Sequence, residues 1–137
     1  MALFYLDASA LVKLVRDEPE TAALRTYLTG ADLVSCDLVL TEVPRAVRRA
    51  AARDRRLALD LLLQRAGELL DAVALLPLDD TVLTAAGAIA EPALRALDAI
   101  HVAAGAHVGP FDAFVTYDER QAAAARLTGL RTTAPGS

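Results

Sequence analysis

Leu3-Phe4-Tyr5-Leu6-Asp7-Ala8-Ser9-Ala10-Leu11-Val12-Lys13-Leu14-Val15 is the stretch whose reading decides the fold. Leu3 to Leu6 is a short apolar run that stops at an aspartate, and Leu11, Leu14 and Val15 then recur at helical spacing. The run is too short for a buried helix, so it reads as a strand feeding directly into a helix, Ala8 to Val15.

The same alternation continues along the chain. Pro19 suits the first turn of a helix from Pro19 to Thr29, and Gly30 closes it. Leu33 to Ser35 reads as a second strand. After it Thr41 can cap a helix bearing Val43, Val47 and several arginines, with Pro44 in its first turn; a start near Asp37 would leave Pro44 interior, at about 3 kcal/mol or with a kink. Leu57 to Ala72 is amphipathic, Val73 to Leu76 is a third strand, and Asp79 or Asp80 caps Thr81 to Ala90. Pro92 restarts a helix that carries Asp98. Ala113 to Thr116 is a fourth strand, Glu119 to Leu127 a last helix, and Leu130 to Thr132 a short edge strand.

Strands separated by helices cannot form hairpins, so they pair in parallel through crossovers. The expected fold is a single α/β domain over residues 1–133: a doubly wound, mostly parallel sheet of four to five short strands, with helices on both faces. Residues 134–137 are expected to fray. The composition agrees, since 137 residues that are 55% apolar can fill one core, while 4% aromatic content leaves Leu, Val and Ala to build it.

Composition also narrows the chemistry. Cys36 is the single cysteine, and with only two histidines there is no zinc constellation and no internal disulfide, which fits a reducing cytoplasm. No signal peptide is evident at the start, and no apolar run reaches the roughly 18 residues of a membrane span. A net charge of −4 argues against indiscriminate nucleic-acid binding. Distribution matters more, because Arg45, Arg48, Arg49, Arg53, Arg55 and Arg56 crowd one stretch while the acids are spread throughout. Such a run is either a solvated helix face or a docking surface.

Ligands of open parallel sheets bind beyond the carboxyl ends of the strands, where the winding reverses. Asp7 ends the first strand, Glu42 opens the helix after the second, Asp98 begins a helix that leads back to the sheet edge, and Asp118 follows the fourth strand. Taken singly, each aspartate reads as an N-cap and Glu42 as a dipole-complementing residue. Taken together they form an oxygen-only set of the kind preferred by Mg²⁺ or Mn²⁺. Two carboxylates about 4 Å apart repel by roughly 4 kcal/mol at an effective dielectric near 20, so the cluster is costly as mere capping. A cation removes that cost. His101, on a helix among apolar residues, reads as a packed core side chain, and Asp79 with Asp80 as a cap.

Four motifs carry a resemblance. Tyr5 to Leu14 resembles the opening of PIN domains, Thr41-Glu42-Val43 their second acidic motif, Leu97-Asp98-Ala99-Ile100-His101-Val102-Ala103 the third, and Val115-Thr116-Tyr117-Asp118 the fourth. Each is weak alone, but together they run through nearly the whole chain in family order. The first and third look most like the VapC-type toxins of bacterial toxin–antitoxin pairs. The resemblance implies metal-dependent RNA cleavage with Asp7, Glu42, Asp98 and Asp118 as the site and Mg²⁺ or Mn²⁺ as cofactor. It further implies Ser9 and Thr116 as orienting hydroxyls, a homodimer, and a small antitoxin partner. Arg45, Arg48 and Arg49 are the candidate contacts for RNA or antitoxin. Glu119, Arg120 and Gln121 follow Asp118 where some members carry a further acid, which leaves one ion or two open. A haloacid-dehalogenase phosphatase would need an aspartate where Ser9 stands. A catalytically inactive PIN-like adaptor, binding RNA or protein without cutting, is the alternative.

Overall fold

Along β1 (Leu3–Leu6), Phe4 and Leu6 point to one side of the sheet and Tyr5 to the other, and all three are buried. This is the two-residue period of a strand covered on both faces. In the computed structural model, which describes residues 1–137, five parallel strands lie in the order β3-β2-β1-β4-β5. They are β1, β2 (Asp32–Cys36), β3 (Ala74–Leu76), β4 (Ala113–Val115) and β5 (Thr132–Thr133). The chain starts in the centre, winds outward through β2 and β3, then returns to lay β4 and β5 on the opposite side of β1. The winding therefore reverses between β1 and β4, whose registers pair Phe4 with Ala113 and Leu6 with Val115.

Helices α1 (Ala8–Val15), α2 (Thr21–Leu28), α3 (Val39–Arg53) and α4 (Leu59–Ala72) cover the face of Phe4 and Leu6. Helices α5 (Asp80–Gly87), α6 (Ala96–Val108) and α7 (Glu119–Leu127) cover the face of Tyr5 and Phe114. The second layer is built largely from alanine, with Ala99, Ala103, Ala104, Ala124 and Ala125 buried. Small side chains let these helices lie close: a Cβ on Gly105 of α6 would meet the Phe114 ring at 2.9 Å.

Several boundaries differ from expectation. Helix α3 begins at Val39, so Pro44 is interior and Thr41 lies within the helix rather than capping it. Its entry is tight, with Leu40 and Thr41 donating to the carbonyls of Asp37 and Leu38. Proline removes the donor that would otherwise serve the Leu40 carbonyl, and Leu40 is 53% exposed, where water can replace it. Pro19 precedes α2 in a turn, and α5 stops at Gly87. Pro92 does not restart a helix, because the Glu91 carboxylate accepts from the Ala93 amide and closes a turn before α6. The edge strand falls at Thr132–Thr133. The tail expected to fray is tied down, with the Tyr117 hydroxyl donating to the Pro135 carbonyl at 2.8 Å. No helix is long and apolar enough to cross a membrane.

Candidate active site

Asp7 leaves β1 as the N-cap of α1, and its side chain is fully engaged. Oδ1 accepts from the Ala10 amide at 3.0 Å and the Ser9 hydroxyl at 2.7 Å; Oδ2 accepts from the Thr116 hydroxyl at 2.6 Å. Thr116 stands at the end of neighbouring β4, so this bond joins the two strands on either side of the switch point. Burial raises the Asp7 pKa, against the opposing pull of His101 and of these donors. The carboxylate is held in place at a cost to its charged form.

Asp118 likewise begins α7, accepting from the Arg120 and Gln121 amides at 2.9 and 3.0 Å. Asp98 differs: it lies in the first turn of α6, whose N-cap position is Arg95, and it caps nothing. Burial first, then the nearby Asp118 and Asp7 carboxylates, raises its pKa above the ordinary aspartate range. Glu42, Asp98 and Asp118 line one small cleft with Arg95. The four acids from distant parts of the sequence are thus gathered at the carboxyl end of the sheet, as the switch-point rule requires.

Two residues of this site were not legible as such. Gln121 is buried; its Oε1 lies 2.9 Å from the Thr116 hydroxyl, and its Nε2 donates to the Asp98 carbonyl at 3.3 Å. It ties α6 to the strand end that anchors Asp7. His101 is buried as expected, yet it is not a bland core residue, because its Nε2 stands 2.6 Å from Glu42 Oε1. Burial disfavours the imidazolium, but Cys36 and Glu42 against its two nitrogens outweigh burial and raise its pKa to about 10. Its place one helical turn after Asp98 was the available signal.

Beside the acids lies a larger cleft of about 490 Å³ between α1 and α3, walled by Lys13, Arg45, Arg49, Leu97 and Tyr117. Arg45 and Arg49, one turn apart, share this wall. Arg48 does not join them; it lines a separate groove with Arg55 and Leu57. Lys13 is occupied, bonded to Glu20 at 2.8 Å and lying over the Tyr117 ring at 4.7 Å. Arg45 and Arg49 are therefore the cleft's uncommitted cations.

The donor set fits a hard divalent cation in chemistry: every carboxylate is an oxygen donor, and the Asp98 pKa is raised by burial first and then by its acidic neighbours. No three of the acidic, His or Cys side chains stand close enough to enclose an ion alone. That is compatible with Mg²⁺, which keeps several waters and takes only one or two carboxylates directly.

Residues 4–127 match the PIN domain family. The chain is 40% identical to Ribonuclease VapC47 of Mycobacterium tuberculosis, with 98% of each chain covered. It is 41% identical to Ribonuclease VapC46 of the same species, covering 98% of this chain and 99% of that one. Among solved structures, PAE2754 from Pyrobaculum aerophilum superposes with a TM-score of 0.66 over 96% of this chain and 83% of that one, at 19% identity. That likeness concerns the fold alone. The chain belongs to the PIN-domain family, among its VapC-type members.

Proposed function

We propose that this protein is a divalent-metal-dependent endoribonuclease acting as the toxin of a toxin–antitoxin pair. The observation that carries the reading is the meeting of Asp7, Asp98 and Asp118 at the switch point, with Glu42 in the same cleft and two free arginines beside it. The names of its relatives, ribonucleases of VapC type, point the same way.

Asp7, Asp98, Asp118 and Glu42 would hold Mg²⁺ or Mn²⁺, directly or through water. When bound there, such an ion would supply a water of lowered pKa and positive charge against that developing on the phosphate. Ser9 and Thr116 keep the Asp7 oxygens turned to fixed directions, so Asp7 need not reorganise as charge shifts. Arg45 and Arg49, which line the larger cleft, would hold phosphates of a strand lying in it. The residues thus divide into an acidic group that handles the scissile bond and a basic wall that holds the strand.

An exposed acidic cleft also attracts basic side chains, and an antitoxin inserting Arg or Lys there would compete with the cation. The reading includes a homodimer working in the cytoplasm, where RNA and antitoxin are found. All four acids are present, which counts against the non-cutting adaptor. The test is cleavage of total RNA by purified protein in Mn²⁺ or Mg²⁺ and in EDTA, beside expression with and without the cognate small partner. Metal-dependent cleavage, growth arrest by the wild type, relief by the partner and no arrest by Asp7→Asn are expected. A harmless, monomeric wild type that cuts nothing with metal present would sink it.

A further inference from the structure

His101 is 1% exposed, yet both ring nitrogens have polar partners contributed by other elements. Nε2 stands 2.6 Å from Glu42 Oε1 on α3, and Nδ1 stands 2.9 Å from the Tyr5 hydroxyl on β1 and 3.6 Å from Cys36 Sγ at the end of β2. Tyr5 is itself fixed, stacked on Phe114 with ring centroids 5.0 Å apart and planes at 7°. The imidazole is thus clamped from the sheet on one side and reaches Glu42 on the other.

Glu42 is held at a distance only a hydrogen bond allows, and a carboxylate can only accept. Nε2 is therefore the donor whether the ring is neutral or charged. In the neutral ring Nδ1 must accept, which makes the Tyr5 hydroxyl its donor and fixes the tautomer. A free glutamate at the edge of a cleft would sample several rotamers, and ordering it opposes side-chain entropy. We propose that His101 is the positioning residue for Glu42: from within the core it holds Oε1, so that Glu42 presents Oε2 to the acidic cleft. This rests on reading the cleft as a metal-dependent catalytic centre, and it gives the helix turn after Asp98 a second task beyond packing.

The experiment compares wild type, His101→Leu, His101→Gln and Glu42→Ala, reading kcat and KM for RNA in Mn²⁺ and the Mn²⁺ concentration that gives half of the thermal stabilisation. His101→Leu is expected to lose roughly tenfold or more in kcat with KM little changed, and to need a similarly higher Mn²⁺ concentration. Gln carries an amide donor near the place of Nε2 and should recover most of both. Added to Glu42→Ala, His101→Leu should cost nothing further in kcat, because its effect passes through Glu42. Wild-type kcat and Mn²⁺ midpoint in folded His101→Leu would overturn the proposal, as would equal losses in both backgrounds. Should His101→Leu not fold, Tyr5→Phe removes the hydroxyl that orients the ring, and unaltered kcat and midpoint there overturn it instead. A wild type stabilised by Mn²⁺ that cuts no RNA refutes the nuclease reading alone, and the midpoints then decide the role of His101. A wild type neither cutting nor stabilised by Mn²⁺ overturns both.

Discussion

Asp98 carries the least compensated charge in the cleft. Asp7 and Asp118 accept hydrogen bonds from the helices they begin, whereas Asp98 faces their negative charges with only Arg95 and His101 drawing the other way. Its folded-state pKa is raised, so in the absence of metal the folded form binds protons more tightly than the unfolded chain. Its contribution to stability is accordingly full below the ordinary aspartate value, about 3.9, and is lost as pH rises through the raised value. In EDTA, Asp98→Asn should therefore melt higher than wild type, by a margin that widens from pH 4 to pH 7.5 while cleavage is mostly lost; a constant or reversed margin across that range would contradict the charge argument. Asp7→Asn, Glu42→Gln and Asp118→Asn should likewise lose most cleavage in folded protein. Asp79 accepts from the Val82 amide at 3.0 Å, outside the cleft, so Asp79→Ala should cost about 1 kcal/mol in a denaturant melt and leave kcat alone. The aspartates were legible because strand ends and helix starts can be read from pattern. Gln121 and His101 were not, because their partners, Thr116 aside, lie far off in sequence and only the closed sheet brings them near.

Helix α3 shows how one element serves two surfaces. Val39, Val43 and Val47 recur every four residues and are fully buried in the core cluster shared with α1 and α4, which commits the helix to the core on that side. Arg45 and Arg49 then fall on the flank facing the large cleft, and Arg48 on another. Arg45→Gln and Arg49→Gln should each raise KM for RNA several-fold, with a shallower salt dependence and little change in kcat. Arg48→Gln should do neither; if it matched the other two in steady-state assays, the strand would run along a different face. The apolar period of this helix was readable, but its start was not. The rule against interior proline placed the beginning at Thr41, whereas a tight first turn and an exposed Leu40 carbonyl let it begin at Val39. At Pro92 the opposite happened, with a side-chain acceptor at Glu91 closing a turn where the proline pattern promised a helix.

At the scale of the molecule, a cation held among the acids would bind the folded chain and not the unfolded one. At a free concentration of about 100 times Kd, Mn²⁺ or Mg²⁺ should add roughly 2.7 kcal/mol, visible as a rise in Tm over EDTA beyond that given by an equal ionic strength of NaCl. A melt indifferent to metal would speak against the site. The parallel sheet and its two helical layers were readable because each strand is followed by helix, and that alone forces crossovers. The 3-2-1-4-5 order has a consequence for biosynthesis. β4 follows β2 and β3 in the chain and Asp118 follows β4, so the acidic cleft cannot be complete on a nascent chain until Asp118 has cleared the ribosome. Under the proposed function, synthesis thus imposes its own delay before a half-made copy could cut RNA.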